Sequence, residues 1–265
     1  MRLLLSSGLA FKCLSLHETE ALALDIGYDG LELMMPPRGM TSGETDRDTD
    51  FASVSRAPLV HAGGDLFDVP RYTQSLSEAV AAARQAGATM INVHPPAAQF
   101  GGRAHVVWGI EYLQQQQQAH GIDFLYEVLV DPGGVAVERQ AWFAARQAYF
   151  TLDDWVRDVE TYDLRATLDT CHVGTWGVEV AQYVERLGDR LAHVHFSDYN
   201  RTTRREHLVP GEGDVDLTGF LRALAARRPE ITLTVELNPV ETPAAVREAA
   251  ECSREYIAQA LAGEL

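Results

Sequence analysis

The chain has 265 residues, of which 46% are hydrophobic, and a formal net charge of −16 with Lys12 as its only lysine. Nucleic-acid binding draws most of its affinity from lysine and arginine side chains that neutralise phosphates, so an acidic chain without a dense basic run is a poor candidate for that class. No apolar run approaches the roughly 18 to 20 residues that span a bilayer, which argues against a membrane protein.

The three cysteines, Cys13, Cys171 and Cys252, lie far apart and form no C-x-x-C pair. The sequence therefore predicts neither a disulfide framework nor a thiolate zinc site, and Cys171 is interpreted as structural. The N-terminal segment has only a weak basic start and is interpreted as the first strand rather than a secretory signal. We expect a cytoplasmic protein. Its oligomeric state stays open, with a homo-oligomer as one alternative.

Strand-like and helix-like runs alternate along the whole chain. The predicted strands lie near residues 3–8, 30–35, 58–63, 89–94, 123–129, 165–170, 191–196 and 231–237. Between them, apolar residues recur at three- and four-residue steps, with Thr151 and Thr242 as the clearest helix start signals. Eight strand–helix units without a flexible linker predict an α/β fold, a single (β/α)8 TIM barrel domain over residues 1–265. A doubly wound sheet is the alternative, but no glycine-rich phosphate loop follows the first strand.

Two stretches interrupt the alternation of strands and helices. Residues 35–50 are interpreted as a long polar loop after the second strand, and residues 131–150 as an insertion after the fifth. Loops that follow strands line the active face of a barrel, so both are candidate lids. In the insertion, Trp142 and Phe143 would either close over a ligand or pack on their own helix, which is the commoner arrangement.

Six short apolar runs each carry an ionisable residue at or near their C-terminal end. These residues are His61, His94, Glu127, Asp169, His195 and Glu236. Apolar neighbours make such a group costly to bury unless something compensates for it. A divalent metal is the simplest compensation, since carboxylates and an imidazole that converge on a cation become its ligands instead of repelling or neutralising each other.

Strand periodicity sharpens this interpretation. In ITLTVELN, side-chain alternation places Glu236 on the polar face of its strand. Glu127, Asp169, His195 and Glu236 follow one another at about one strand–helix unit each, so strands five to eight of the barrel would each deliver one ligand to the same mouth. Oxygen-rich coordination with one nitrogen suits Mn²⁺, Mg²⁺ or Co²⁺, and Zn²⁺ fits better as imidazoles are added.

The remaining histidines are assigned by position. His193 lies one layer below His195 and is predicted to be a packed core residue. The predicted surface histidines are His17, His105 and His120.

Two motifs accompany the strand-end residues. GYDGLEL at 27–33 carries Glu32, and HLVPGEGDVD at 207–216 is a glycine-rich loop after the seventh strand. Together with the strand-end residues and a histidine three residues after Asp169, these motifs resemble the xylose-isomerase-like TIM barrels, which comprise sugar isomerases and epimerases as well as zinc-dependent apurinic endonucleases. The resemblance covers nearly the whole chain and is specific through the combination of its motifs.

The resemblance implies roles for individual residues. It implies one shared metal site whose ligands are Glu127, Asp169, His195 and Glu236. In similar sugar epimerases and ketose isomerases the two metal-bound glutamates are the acid/base pair, which implies that role for Glu127 and Glu236. It also implies substrate contacts from Glu32 and from Arg205, the arginine that precedes the VPG turn.

Four further histidines match ligands of the endonuclease branch, which binds three zinc ions. They are His61 and His94, which match its first site, and His172 and His207, which match its third. We expect them to bind a second metal or the substrate. The aspartate expected two residues before His207 is replaced by Arg205, and a cation cannot ligate zinc.

The sequence thus predicts a divalent-metal-dependent isomerase or epimerase that acts on a small sugar, polyol or related hydroxy-carbonyl compound. A metal that bridges a carbonyl and an adjacent hydroxyl acidifies the neighbouring C–H, and two carboxylates on opposite sides can remove and return the proton. The alternatives are a zinc-dependent apurinic endonuclease, another sugar-directed reaction such as dehydration, and a non-catalytic barrel. Metal stoichiometry distinguishes the sugar isomerase or epimerase from the endonuclease, because one or two ions per chain fit sugar chemistry and three fit the nuclease.

Overall fold

A computed structural model describes residues 1–35, 50–63 and 68–265. Eight parallel strands close into a barrel in the order β1, β10, β7, β6, β5, β4, β3, β2. The barrel strands are β1 (Arg2–Ser6), β2 (Gly30–Met34), β3 (Leu59–His61), β4 (Met90–Val93), β5 (Asp123–Glu127), β6 (Arg165–Asp169), β7 (Leu191–Phe196) and β10 (Thr232–Val235). The predicted TIM barrel is confirmed. The first strand ends earlier than expected, because residues 7–10 form a 3-10 turn.

Helices surround the barrel. They are α1 (Leu16–Ile26), α2 (Val69–Ala86), α3 (Gly102–His120), α4 (Val137–Ala144), α5 (Leu152–Thr161), α6 (Thr170–Thr175), α7 (Ala181–Leu187), α8 (Leu217–Arg227) and α9 (Pro243–Ala262). Both predicted start signals are helix caps, since the hydroxyl of Thr151 accepts a hydrogen bond from the Asp154 N–H and that of Thr242 from the Ala245 N–H. None of the helices in the described ranges is long and apolar enough to cross a membrane.

The barrel interior has an apolar floor and a polar mouth. Leu4, Leu59, Leu125 and Ala192 form a small buried cluster apart from the main core, which lies between the strands and the helices. Because side chains alternate along a strand, the inward positions nearer the C-terminal ends carry the ionisable residues. The apolar floor therefore closes the barrel beneath the polar mouth.

Two segments depart from the predicted alternation. The insertion at 131–150 contains α4, and an antiparallel hairpin follows β7, formed by β8 (Asp198–Asn200) and β9 (Arg205–Leu208). Trp142 packs on its own helix, with its ring 4.7 Å from that of Phe143 and the Arg146 guanidinium 3.5 Å from its centroid. The other predicted lid, 35–50, lies outside the described residues except at its ends.

The backbone at Gly30 leaves no room for a side chain. This glycine opens β2 with φ +155°, and a Cβ atom there would lie 1.9 Å from the carbonyl oxygen of Arg56. The same oxygen accepts a hydrogen bond from the Leu31 N–H at 2.8 Å. The backbone at the start of β2, the strand that carries Glu32, thus lies so close to the backbone at Arg56 that only glycine fits.

We expect Gly30→Ala to lower the free energy of unfolding by about 3 kcal/mol, since the clash forces the backbone apart. Gly87→Ala is the matched control: it also has positive φ, +68°, but nothing lies within 4 Å of its Cβ position. Its cost should be ~1 kcal/mol. Urea unfolding of both variants measures the difference, and equal losses would contradict a steric role for Gly30.

Candidate metal centre

Four barrel strands bring the predicted ligand residues together. Glu127 ends β5, Asp169 ends β6, His195 lies in β7 and Glu236 directly follows β10. One ligand atom from each lies within 4.8 Å of the others. The first three have no exposed surface and Glu236 is 7% exposed. Parallel strands end at the same face of the barrel, which is why residues far apart in sequence meet here.

His195 lies at the centre of this group. Its Nδ1 is 3.0 Å from an oxygen of Glu236, 3.1 Å from one of Glu127 and 3.9 Å from one of Asp169. Its Nε2 faces the other way, 3.0 Å from each carboxylate oxygen of Glu32. The imidazole therefore separates three carboxylates on one side from a fourth on the other.

His61, His94 and Glu127 form a second group with ligand atoms within 4.8 Å of one another. The Nε2 atoms of His94 and His61 lie 3.1 and 3.5 Å from the same oxygen of Glu127. Asn92, buried on β4, donates a hydrogen bond to that oxygen as well. Sequence analysis missed Asn92, although it is a polar residue inside the apolar run that leads to His94.

His172 and His207 meet on the α6 side of the mouth, with Asp169 and Cys171. His172 Nδ1 lies 2.9 Å from the carbonyl oxygen of Val128, which orients the ring, and 3.5 Å from a carboxylate oxygen of Asp169. His207 Nδ1 lies 3.7 Å from the Sγ of Cys171. Burial raises the pKa of the Cys171 thiol well above its ordinary value, which keeps it protonated and unreactive.

Charges in the mouth depend on one another. Burial alone would raise the pKa of Glu127, but His94 and His195 outweigh it and hold that pKa well below its ordinary value. The pKa of Glu236 is lowered in the same way by His195 and His61 against the effect of burial. Burial disfavours the charged form of His195, yet Glu236, Glu32 and Glu127 raise its pKa well above the ordinary value. Without a metal, a proton on His195 thus offsets part of the negative charge of the ionised carboxylates. A bound cation would displace that proton.

Several buried polar atoms in the mouth lack a hydrogen bond of acceptable geometry. Among them are His61 Nδ1, His94 Nε2, Asp169 Oδ2 and Glu236 Oε2, and the amide oxygen of Asn92 is another. Each such atom costs about 1–3 kcal/mol in a folded protein. The histidine and carboxylate atoms are of the types that ligate metals, and a divalent cation would satisfy them. Three carboxylates and one imidazole suit Mn²⁺, Mg²⁺ or Co²⁺, while His61 and His94 add the nitrogens that Zn²⁺ favours.

Glu32 and Arg205, the two residues predicted to contact substrate, differ in their surroundings. Glu32 has no exposed surface and both its oxygens face His195, so its position suits holding the imidazole. Arg205 opens β9 with an exposed side chain, paired through its backbone register with Asn200. In the described ranges, the structure gives Arg205 no contact with the strand-end residues.

Two other histidines test the assignments made from sequence. His193 is fully buried as predicted, and its nitrogens contact the hydroxyls of Thr167 and Thr234 at 3.2 and 2.8 Å. Burial lowers the pKa of His193 to about 3, so its ring is neutral. The surface prediction for His105 was wrong: the residue is 7% exposed and stacks on Trp108 with ring centroids 5.3 Å apart.

Comparison with known proteins places the chain in a family. Residues 21–256 match the family described as xylose isomerase-like TIM barrel. The chain belongs to that family. Among curated proteins it is similar to an uncharacterized protein of Mycobacterium leprae, with 27% identity over 235 residues that cover 77% of each chain.

Solved structures include two kinds of relative. An L-ribulose 3-epimerase superposes with a TM-score of 0.72 at 15% identity, over 99% of this chain and 95% of that one. An AP endonuclease, family 2, from Brucella melitensis superposes with a TM-score of 0.70 at 14% identity, over 97% and 98%. At these identities the likeness extends to the fold, and the residues in the mouth must decide the chemistry.

We predict that Mn²⁺ stabilises the protein and that Asp169→Asn abolishes the effect. An ion at one hundred times its dissociation constant adds about 2.7 kcal/mol to folding stability. Asn keeps an oxygen to accept the hydrogen bonds from Cys171 N and His172 N that cap α6. Differential scanning fluorimetry with Mn²⁺ and with EDTA measures the shift in Tm.

The control for this experiment is Asp216→Asn, which alters another aspartate cap, on α8. It should leave the Mn²⁺-induced shift in Tm unchanged. A wild-type midpoint that does not move, in protein shown by elemental analysis to be free of metal beforehand, would count against a shared ligand set.

Proposed function

We propose that the protein is a divalent-metal-dependent epimerase or isomerase of a small sugar or sugar-like hydroxy-carbonyl compound. One observation carries the proposal: Glu127 and Glu236 reach the same imidazole nitrogen of His195 from different strands, at 3.1 and 3.0 Å. An epimerase removes a proton from one face of a carbon and returns a proton to the other face. This reaction requires two acid/base groups held around one centre, such as two carboxylates. The sugar epimerase among the similar folds supports the same class of reaction.

The surroundings of the two glutamates favour their ionised form. Nearby imidazoles lower the pKa of each, so both are ionised before a substrate binds. Asn92 donates a hydrogen bond to one oxygen of Glu127, which His94 Nε2 also approaches at 3.1 Å, and the other oxygen lies 3.1 Å from His195 Nδ1. Glu236 lies past the end of β10, nearer the solvent, where its carboxylate can meet a substrate that enters the mouth.

The metal's contribution, when bound, would be to polarise a carbonyl and an adjacent hydroxyl of the substrate. Glu127 and Glu236 would then exchange a proton with the carbon between them, one as base and the other as acid. His61, His94, His172 and His207 lie beside the proposed ligands and would donate hydrogen bonds to hydroxyl groups of the substrate. The closed barrel beneath keeps bulk water away from the reacting carbon.

Hydrolysis of abasic DNA is the second candidate, because the histidines of the endonuclease branch are present at 61, 94, 172 and 207. Two features disfavour it. Arg205 occupies the position of the expected third-site aspartate, and the chain has a net charge of −16 that repels a phosphate backbone. Dehydration of a sugar-like substrate uses the same proton abstraction and would be recognised by its product.

We expect Glu127→Gln and Glu236→Gln each to lower turnover by about 10²- to 10⁴-fold, the usual worth of an acid or base. Each glutamine keeps a carbonyl oxygen for the metal but cannot take a proton. Incubation in D₂O with a panel of ketoses that includes L-ribulose, followed by NMR, measures exchange at the substrate carbon.

Metal content determined on each glutamine variant separates lost proton transfer from lost metal. Full deuterium exchange in both variants at wild-type rates would move the acid/base role to other residues.

Arg205 separates the two candidate functions. We expect Arg205→Ala to reduce kcat/KM on a sugar by about tenfold, through lost hydrogen bonds to hydroxyls, and to leave metal content unchanged. Arg205→Asp should recruit an additional Zn²⁺ beside His172 and His207 and still give no cleavage of abasic DNA. Arg222→Ala, an exposed arginine on α8, is the control for loss of positive charge.

Steady-state kinetics, elemental analysis and an abasic-oligonucleotide assay read out the arginine variants. If the wild type already carries three Zn²⁺ ions and cleaves abasic DNA catalytically, the sugar assignment is wrong.

A further inference from the structure

Glu32 is a fully buried carboxylate on β2, which lies opposite β6 in the closed barrel and is separated from β10 by β1. Both its oxygens lie 3.0 Å from Nε2 of His195. A second imidazole, His193, has its Nε2 3.5 Å from one of these oxygens. Glu32 thus directs its charge at the side of His195 that faces away from the other three carboxylates.

A neutral imidazole has one N–H donor and one lone pair, and the hydrogen bond made by one nitrogen decides where the lone pair lies. A carboxylate can only accept, so Glu32 requires the proton of His195 to be on Nε2. The lone pair then lies on Nδ1, which faces Glu127, Asp169 and Glu236. The Nε2 of His193 lies closer to the Thr234 hydroxyl, at 2.8 Å, than to Glu32, at 3.5 Å. His195 is therefore the nearer imidazole donor to Glu32.

We infer that Glu32 is a positioning residue that fixes the tautomer and ring orientation of His195 for metal binding, and that it contacts no substrate. The inference rests on the proposed metal centre and adds to it a residue that acts through His195. A carboxylate behind a metal-bound histidine makes the imidazole a stronger ligand and restricts its rotation. Glu32 has no exposed surface, and both its oxygens face Nε2 of His195, on the opposite side of the ring from Glu127, Asp169 and Glu236.

Two substitutions test the positioning role. Glu32→Gln keeps the shape of the side chain, but its amide can donate to Nε2 as well as accept from it, so it no longer imposes one tautomer. We expect the dissociation constant for Mn²⁺ to rise about 10- to 100-fold, the usual effect of losing such a partner. Glu32→Asp keeps the charge but withdraws it from His195, and it should weaken Mn²⁺ binding as well. The aspartate variant carries the test if the glutamine variant fails to fold.

Glu20→Gln is the matched control. Glu20 is also buried, at 5% exposure, and accepts hydrogen bonds from the backbone N–H groups of Ser55 and Arg56 outside the mouth. Its substitution should lower Tm and leave Mn²⁺ affinity unchanged. If Glu32 only contributed packing, its variants would behave like Glu20→Gln, with a lower Tm and unchanged Mn²⁺ affinity. If Glu32 positions His195, its variants should lose Mn²⁺ affinity as well.

The decisive readouts are Mn²⁺ titration by calorimetry and the histidine ¹⁵N–¹H NMR spectrum of Zn²⁺-loaded protein. The wild type should show His195 protonated on Nε2, identified by loss of its signals in His195→Asn, and Glu32→Gln should lose that Nε2–H signature. Wild-type affinity together with an unchanged tautomer in Glu32→Gln overturns this inference and leaves the proposed function standing. A wild type that binds no divalent ion overturns both.

Discussion

The structure depends on how buried negative charge is compensated in the barrel mouth. Glu32, Glu127 and Asp169 have no exposed surface and Glu236 has little, yet none of them is paired with a lysine or arginine in the described residues. Removing such ions from water costs several kcal/mol each unless partners restore the loss. Imidazoles are the partners here. Because they are themselves good metal ligands, the compensation that keeps the barrel folded also prepares it to bind a cation.

The barrel makes this arrangement rigid. His193 and the threonines that bind it lie directly beneath His195, and the apolar floor of Leu4, Leu59 and Leu125 closes the interior below. Side chains on strand ends have less freedom than side chains on loops, so the barrel itself sets the geometry of the proposed ligands.

Much of this was predictable from the sequence, for a physical reason. A polar residue that ends an apolar run, as Asp169 and Glu236 do, is a local signal, and alternation along a strand gives the face on which it lies. The contact between Glu32 and His195 is not local, since it depends on which inward positions of β2 and β7 meet across the closed barrel. The β8–β9 hairpin was missed because RTTRRE, at its turn, has the composition of a loop.

That hairpin determines what surrounds the proposed metal. Asp198 in β8 accepts hydrogen bonds from the N–H groups of Gly211, Gly213 and Val215, and Asn238 donates to the carbonyl of Glu206 in β9 at 2.7 Å, so both strands of the hairpin are bonded to neighbouring segments. His207 adopts φ +55°, a strained conformation for a residue with a side chain, which such contacts must maintain. Arg205 lies two residues earlier on the same strand. A guanidinium at that position cannot supply the carboxylate that the endonuclease pattern places beside His172 and His207.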